Sequence, residues 1–207
     1  MPLTQEKISK IFLETALLYN QFLNAEEDQK GLKYLESRGI PRDIANRYLF
    51  GFVPDNNILW NNFVIPKKFD VKNLIELNLL RVDIENITLN DYFQCGRLVM
   101  PVFENGKIVC FSARSISPGV EPKYKTLKYD KMGIFNLDVL SQGHPTIYMA
   151  EGAIDATTLN HLGFPAMGIL GLSNFGKEHI DPFLNYTENI ILLFDNDSNG
   201  SGDKGVE

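Results

Sequence analysis

Ile190-Ile191-Leu192-Leu193-Phe194-Asp195-Asn196-Asp197 joins five apolar residues to two carboxylates one residue apart. The apolar run reads as a buried strand with the acids at its mouth. An ionised carboxylate at the end of a dry segment needs water, a donor or a cation. A divalent metal meets that need, and aspartate oxygens suit Mg²⁺ or Ca²⁺. The spacing Asp195-x-Asp197-x-Asn199-Gly200-x-x-Asp203 also imitates a calcium loop, but Val206 stands where the bidentate glutamate belongs.

The residues before this strand alternate in type. Thr146–Ala150 reads as an apolar strand, Ile154–Leu162 as a helix and Ala166–Leu170 as a second strand. Lys177–Leu184 reads as a second helix, provided Pro182 falls in its first turn, and Asn189–Phe194 as the third strand. The βαβαβ order predicts a parallel sheet with right-handed crossovers. Ligands of such sheets sit beyond the carboxyl ends of the strands. The first strand also ends in acid, at Ala150-Glu151-Gly152. If the two acid-ended strands are neighbours, Glu151 and the aspartate pair converge, Gly152 allows a sharp turn, and Asp155 enters the first turn of the helix. Asp155 alone would suit any helix N-terminus, and Glu151 alone could cap the same helix. As a group, these acids repel one another unless cations intervene.

Towards the N-terminus the period is helical. Ile8, Ile11, Phe12, Ala16, Tyr19, Phe22 and Leu23 predict an amphipathic helix over 5–23. Shorter helices are expected over 30–38, closed by Gly39, and over Arg42–Leu49, opened by Pro41. Residues 57–62 look turn-like, and Leu74–Leu80 suggests a short helix. From Arg97 the period becomes that of strands, Leu98–Phe103 and Ile108–Arg114, with Asn105-Gly106 as a hairpin signal between them. Ser115–Pro122 reads as a loop.

The chain has 207 residues, 44% hydrophobic and 22% charged, and a net charge of −6. It carries no membrane-length apolar run and no signal-peptide pattern, which predicts a cytoplasmic protein with no membrane partner. Two cysteines, Cys95 and Cys110, exclude a disulfide framework or a four-cysteine zinc site. An acidic whole argues against general polyanion binding. Residues 97–131 nevertheless hold seven basic side chains against three acids, a local +4 that leaves −10 for the rest. Such a strip suits a nucleic-acid backbone, and equally a solvated lysine-rich loop.

Glu151-Gly-x-x-Asp155 followed some forty residues later by Asp195-x-Asp197 resembles the Toprim domain. Glu151-Gly152-Ala153-Ile154-Asp155-Ala156 is similar to the "EGYMDV" signature of bacterial-type (DnaG-type) DNA primases. Gly171 and Glu178-His179-Ile180 fall where these primases read "LGT…EEHI". Tyr34–Ile40 and Phe50–Pro54 resemble "YLxxRGI…xGYAP". Arg97–Phe103, Phe111–Arg114, Pro122-Lys123-Tyr124 and Gly133-Ile134-Phe135 follow the order of "RIMFPI", "GFGGR", "PKY" and "LYG". The similarity covers nearly the whole chain, in order.

The resemblance implies an α+β / α/β fold in two parts. A helical and mixed α/β N-terminal subdomain would span 1–140 and carry the basic strip. A Toprim subdomain with a Rossmann-like parallel sheet would span 141–207, incomplete at its C-terminus. It further implies a nucleotidyltransferase that makes RNA primers from ribonucleoside triphosphates on a single-stranded DNA template, with Mg²⁺ or Mn²⁺. Asp195 and Asp197 match the metal-binding pair, Glu151 the catalytic glutamate (metal ligand or base), and Asp155 the accompanying acid. Arg97, Arg114, Lys123 and Lys131 match positions that hold template or triphosphate, and Tyr124 or Tyr129 would stack on a base or belong to the core. The departures are Lys125-Thr126-Leu127 where the family reads Leu-Asn-Ser, and no zinc ribbon, no helicase-binding region and no second aspartate pair. They suggest a truncated core from a phage or mobile-element replication protein, whose replicative-helicase contact lies elsewhere. A Toprim phosphodiesterase and a non-catalytic single-stranded-DNA-binding module are the alternatives.

Overall fold

The three- and four-residue apolar spacing does form one long helix, α1 (Gln5–Ala25), with Ile8, Ile11, Phe12, Ala16, Tyr19 and Leu23 buried along one side. The structure is a computed structural model that describes residues 3–25, 27, 29–127, 133–171 and 180–194. It divides into two units. The first comprises Met1–Ser37, Pro41–Pro101 and Ile108–Lys131, and the second Arg38–Ile40, Val102–Lys107 and Met132–Glu207.

In the first unit α2 (Lys30–Ser37) and α3 (Arg42–Arg47) follow α1. Helix α3 ends earlier than its apolar pattern suggests, because Leu49 takes a left-handed φ of 51°. Strand β1 (Gly51–Val53) comes next. Helix α1 lies so close to β1 that a Cβ on Gly51 would stand 2.4 Å from that of Tyr19, so only glycine fits. A π-helical turn over Trp60–Val64 occupies the turn-like stretch. Helix α4 (Val71–Glu76) starts at Asp70, whose carboxylate accepts from the Lys72 amide at 2.9 Å. It ends before Asn78, which takes a left-handed φ of 57°, and Leu80 begins β2 (Leu80–Asp83), paired antiparallel with β3 (Thr88–Asp91). Strands β4 (Arg97–Glu104) and β5 (Lys107–Ser115) form the hairpin that Asn105-Gly106 signals; both turn residues have positive φ, 53° and 70°. Strand β6 (Tyr124–Thr126) completes a sheet of order β1-β4-β5-β6. Phe12 meets Phe111 edge-to-face at 5.4 Å, and both are fully buried. Each such ring contributes about 1.5–3 kcal/mol of transfer free energy.

The second unit begins its sheet with β7 (Ile134–Phe135) and a 3-10 turn over Leu137–Gln142. Strand β8 (Thr146–Ala150), helix α5 (Ala153–His161), strand β9 (Ala166–Ile169) and strand β10 (Asn189–Leu193) follow. The order is β10-β8-β9-β7, with β8 parallel to both β9 and β10. Three strands are thus parallel as expected. The fourth, β7, adds antiparallel to β9 and gives the sheet a mixed edge. Of the helix expected over Lys177–Leu184, residues 177–179 lie outside the described residues. The remainder is a 3-10 turn, Asp181–Asn185, with Pro182 at its start. Ile147, Met149, Met167 and Ile169 form the core, against which Ile190 and Leu192 pack.

Strand β10 corrects the reading that opened the sequence. It is an edge strand, and Ile191 and Leu193 are 40% and 43% exposed among the described residues. Only the alternate residues face the core, the pattern of a half-buried strand rather than a dry one.

Candidate functional site

The parallel register of β8 and β10 sets Ile190 opposite Ile147 and Leu193 opposite Ala150. The two carboxyl ends therefore lie side by side. The next residue on β8 is Glu151, which is half-buried. On the neighbouring strand Phe194 follows; Asp195 and Asp197 lie outside the described residues, as do Lys131, Tyr129, Glu178 and His179.

Gly152 follows Glu151 in extended backbone, φ −153°, ψ 170°, and stands at the start of α5 without any side-chain cap. Its conformation does not demand glycine. The tight spot is opposite: a Cβ on Gly168 of β9 would lie 2.6 Å from the Gly152 carbonyl oxygen. Gly168 thus lets the β8–α5 turn settle onto β9. Asp155 falls in the first turn of α5, as the spacing predicts. Its Oδ1 receives the Arg38 guanidinium at 3.1 Å, and both side chains are 44% exposed. Thr158, one turn further on, donates its hydroxyl to the Arg38 carbonyl at 2.9 Å. In the sequence Arg38 stands out only as part of the Tyr34–Ile40 motif, because its partner is 117 residues away.

In the first unit, the described residues of the basic strip fall into two groups. Tyr124 pairs with Arg114 across β5 and β6, and Lys125 with Ala113. Because strand side chains alternate, Tyr124 and Lys125 take opposite faces. On one face, Arg114 donates to the Tyr124 hydroxyl and lies 5.0 Å from the Tyr124 ring and 5.5 Å from that of Tyr34. Lys123 is exposed, 5.9 Å from the Tyr124 ring. Tyr124 is itself 44% exposed, so it belongs to the surface and not to the core.

On the other face stands Tyr92. Arg81 lies 4.1 Å and Lys125 4.3 Å from its ring centre, and Lys125 donates to its carbonyl. Arg97 at the head of β4 is 0% exposed, and its three guanidinium nitrogens have no hydrogen-bond partner among the described residues. Burial lowers the Arg97 pKa, with Glu121 and Tyr92 opposing. Burial first, then Arg81 and Arg97, pulls Lys125 down to about 8. An unpaired buried charge of this kind costs on the order of 3–5 kcal/mol, more than cation–π contacts of about 0.5–2 kcal/mol return.

The donors available to a metal are carboxylate oxygens, the chemistry of Mg²⁺ or Mn²⁺ rather than of zinc. Among the described residues no three His, Cys, Asp or Glu side chains gather. Glu151 stands at the carboxyl end of β8, beside the carboxyl end of β10.

The helical and mixed-sheet unit followed by a Rossmann-like sheet with an acid at the end of its central strand defines the Toprim-bearing catalytic cores. A family profile described as "Toprim-like" matches residues 148–203, and one described as "DNA primase catalytic core, N-terminal domain" matches residues 18–135. The chain belongs to the bacterial-type DNA primase catalytic-core family. It is 31% identical to the DNA primase of Buchnera aphidicola (subsp. Acyrthosiphon pisum), over 95% of this chain and 35% of the relative. The chain spans about a third of the length of the curated relatives it matches. A DNA primase domain from Pseudomonas aeruginosa shares the fold with a TM-score of 0.82 at 23% identity, over 96% of this chain and 64% of that one. A DnaG primase catalytic domain bound to single-stranded DNA does so with a TM-score of 0.77 at 22% identity, over 95% and 65%.

Proposed function

We propose that this chain carries the catalytic part of a primase that joins ribonucleoside triphosphates into RNA primers on single-stranded DNA. The observation that supports it best is the β8–β10 register, with Leu193 opposite Ala150, which brings Glu151 beside the strand that runs on into Asp195-x-Asp197. In this reading Glu151, Asp195 and Asp197 hold a divalent cation, Mg²⁺ or Mn²⁺, which when bound neutralises triphosphate charge and lowers the pKa of an attacking 3′-hydroxyl. Glu151 serves as ligand or as base. Asp155, steadied by Arg38, keeps the α5 end of the site in order. Arg97, Arg114, Lys123 and Lys131 bind phosphates of the template or the triphosphate, contacts that are blind to sequence and sensitive to salt. A relative that binds single-stranded DNA supports the same choice of template. The family's division of labour suggests a primase-core subdomain over 1–140 and a Toprim subdomain over 141–207, with a replicative helicase as a further partner.

Incorporation of labelled ribonucleotides on an unlabelled single-stranded template tests the proposal. Glu151→Gln and Asp195→Ala are each expected to lower synthesis by about a hundredfold or more. Synthesis that survives both changes removes the acidic centre from the mechanism. Strand cleavage without synthesis turns the reading to a phosphodiesterase, and DNA binding with neither turns it to a binding module.

A further inference from the structure

We propose that Arg81 and Lys125, gathered on Tyr92 within the field of Arg97, form a phosphoryl-binding subsite separate from the Arg114–Lys123–Tyr124 group, taking a phosphate of a nucleic-acid backbone or of a nucleotide. The three cations are graded in depth: Arg81 is exposed, Lys125 half-buried, and Arg97 fully buried with no hydrogen-bond partner among the described residues. The Tyr92 ring touches two of them, at 4.1 and 4.3 Å, and its carbonyl accepts from Lys125. A ring face and one carbonyl orient cations without neutralising three of them. The acid that acts on Arg97, Glu121, is exposed and makes no hydrogen bond to its guanidinium. The mutual repulsion is visible in Lys125, whose pKa falls to about 8 through burial and then through Arg81 and Arg97. A phosphoryl oxygen supplies the missing charge and accepts from several donors at once. Arg81 and Lys125 also carry the distinction from the motif positions, since Lys125 stands where the family reads leucine and Arg81 lies on the β2–β3 hairpin outside the basic strip.

The subsite rests on the nucleic-acid reading but not on synthesis, so binding is measured in chelator, where the acidic centre is silent. A labelled single-stranded oligonucleotide reports the backbone, and a ribonucleoside triphosphate, by calorimetry, reports the nucleotide. Arg81→Gln and Lys125→Leu are each expected to weaken one of the two ligands about tenfold, as loss of a charge-assisted hydrogen bond does. For the oligonucleotide the salt slope also drops by about one. The ligand that weakens identifies the source. Binding at pH 8 should also take up about half a proton, because the anion raises Lys125, which is half protonated there; Cys110, the nearby thiol acting on Tyr92, is pushed up to about 11 and stays silent. The uptake should vanish in Lys125→Leu. The proposal fails if both variants, unfolding at the wild-type temperature, bind both ligands unchanged. It fails equally if Lys72→Gln, which removes one charge from α4, weakens them as much.

Discussion

Arg97 and Asp91 lie in the first unit, 0% and 5% exposed, and each keeps polar atoms without a partner among the described residues. Arg38 and Asp155, in the second unit, are each 44% exposed and joined at 3.1 Å. The two pairs of residues carry the same charges in opposite settings. A buried single charge is a cost carried by the folded state, and it registers in stability and pH dependence. An exposed ion pair is worth little to the fold, and so can be rearranged when a ligand arrives. The first unit holds its charges in a setting that a counter-ion would improve, whereas the second holds Asp155 in a setting already balanced.

Asp91 gives the comparison its largest test. Its Oδ2 accepts from the Leu59 amide at 2.9 Å, yet burial outweighs the backbone donors and lifts its pKa from 3.8 to about 6. An acid whose folded pKa is raised binds its proton more tightly when folded. Stability is therefore lost as pH rises from the unfolded value near 4 to the folded value near 6, and stays lost above it. Asp91→Asn keeps an acceptor for Leu59 without the titration. Its unfolding free energy relative to wild type should move in its favour by about 2.4 kcal/mol between pH 4 and pH 7, read from urea melts. A difference that stays constant with pH would show that burial does not raise the Asp91 pKa.

Arg97 comes next. Methionine fills much of the same volume without a charge, and replacing an uncompensated buried ion in this way is expected to stabilise by about 1–4 kcal/mol. The same change should weaken phosphate binding, a trade of stability against function. Chemical denaturation and oligonucleotide anisotropy on Arg97→Met read the two effects separately. Destabilisation would break the comparison, since it would mean that the guanidinium is satisfied in the folded state.

Long periodic segments were legible in the sequence because their spacing repeats. Helix α1, the β4–β5 hairpin with its Asn105-Gly106 turn, and the β8–α5–β9 order all follow from pattern. Strands of two or three residues were not, because β1, β6 and β7 are too short to alternate and are fixed by the strands beside them. The β2–β3 hairpin was hidden for another reason: its turn places Ile87, a β-branched residue, at a positive φ of 53°, against its own preference. Glu151 and Asp155 were legible from the acid end of the first strand and the first turn of the helix after it, and the strand pairing that gives Glu151 its neighbour was conditional until the register was known. Arg38 with Asp155, and Arg81 with Lys125, are products of tertiary structure, which no spacing announces.

The smallest effect on the fold is expected at Arg38, and it sharpens the comparison most. A double-mutant cycle of Arg38→Ala and Asp155→Asn should give a coupling of about 0.2–1 kcal/mol in stability, typical of an exposed pair. If Arg38 positions Asp155 for the reaction, the same cycle measured on primer synthesis should be more strongly non-additive. Arg38→Ala would then lower kcat with little change in KM for the ribonucleotide, and Arg38→Lys would restore part of the loss, since lysine keeps the charge without the planar fork. Equal coupling in both measurements would leave the pair a surface ornament of α5. A larger coupling in synthesis would show that a contact of little weight to the fold matters because it is balanced, exposed and free to be exchanged.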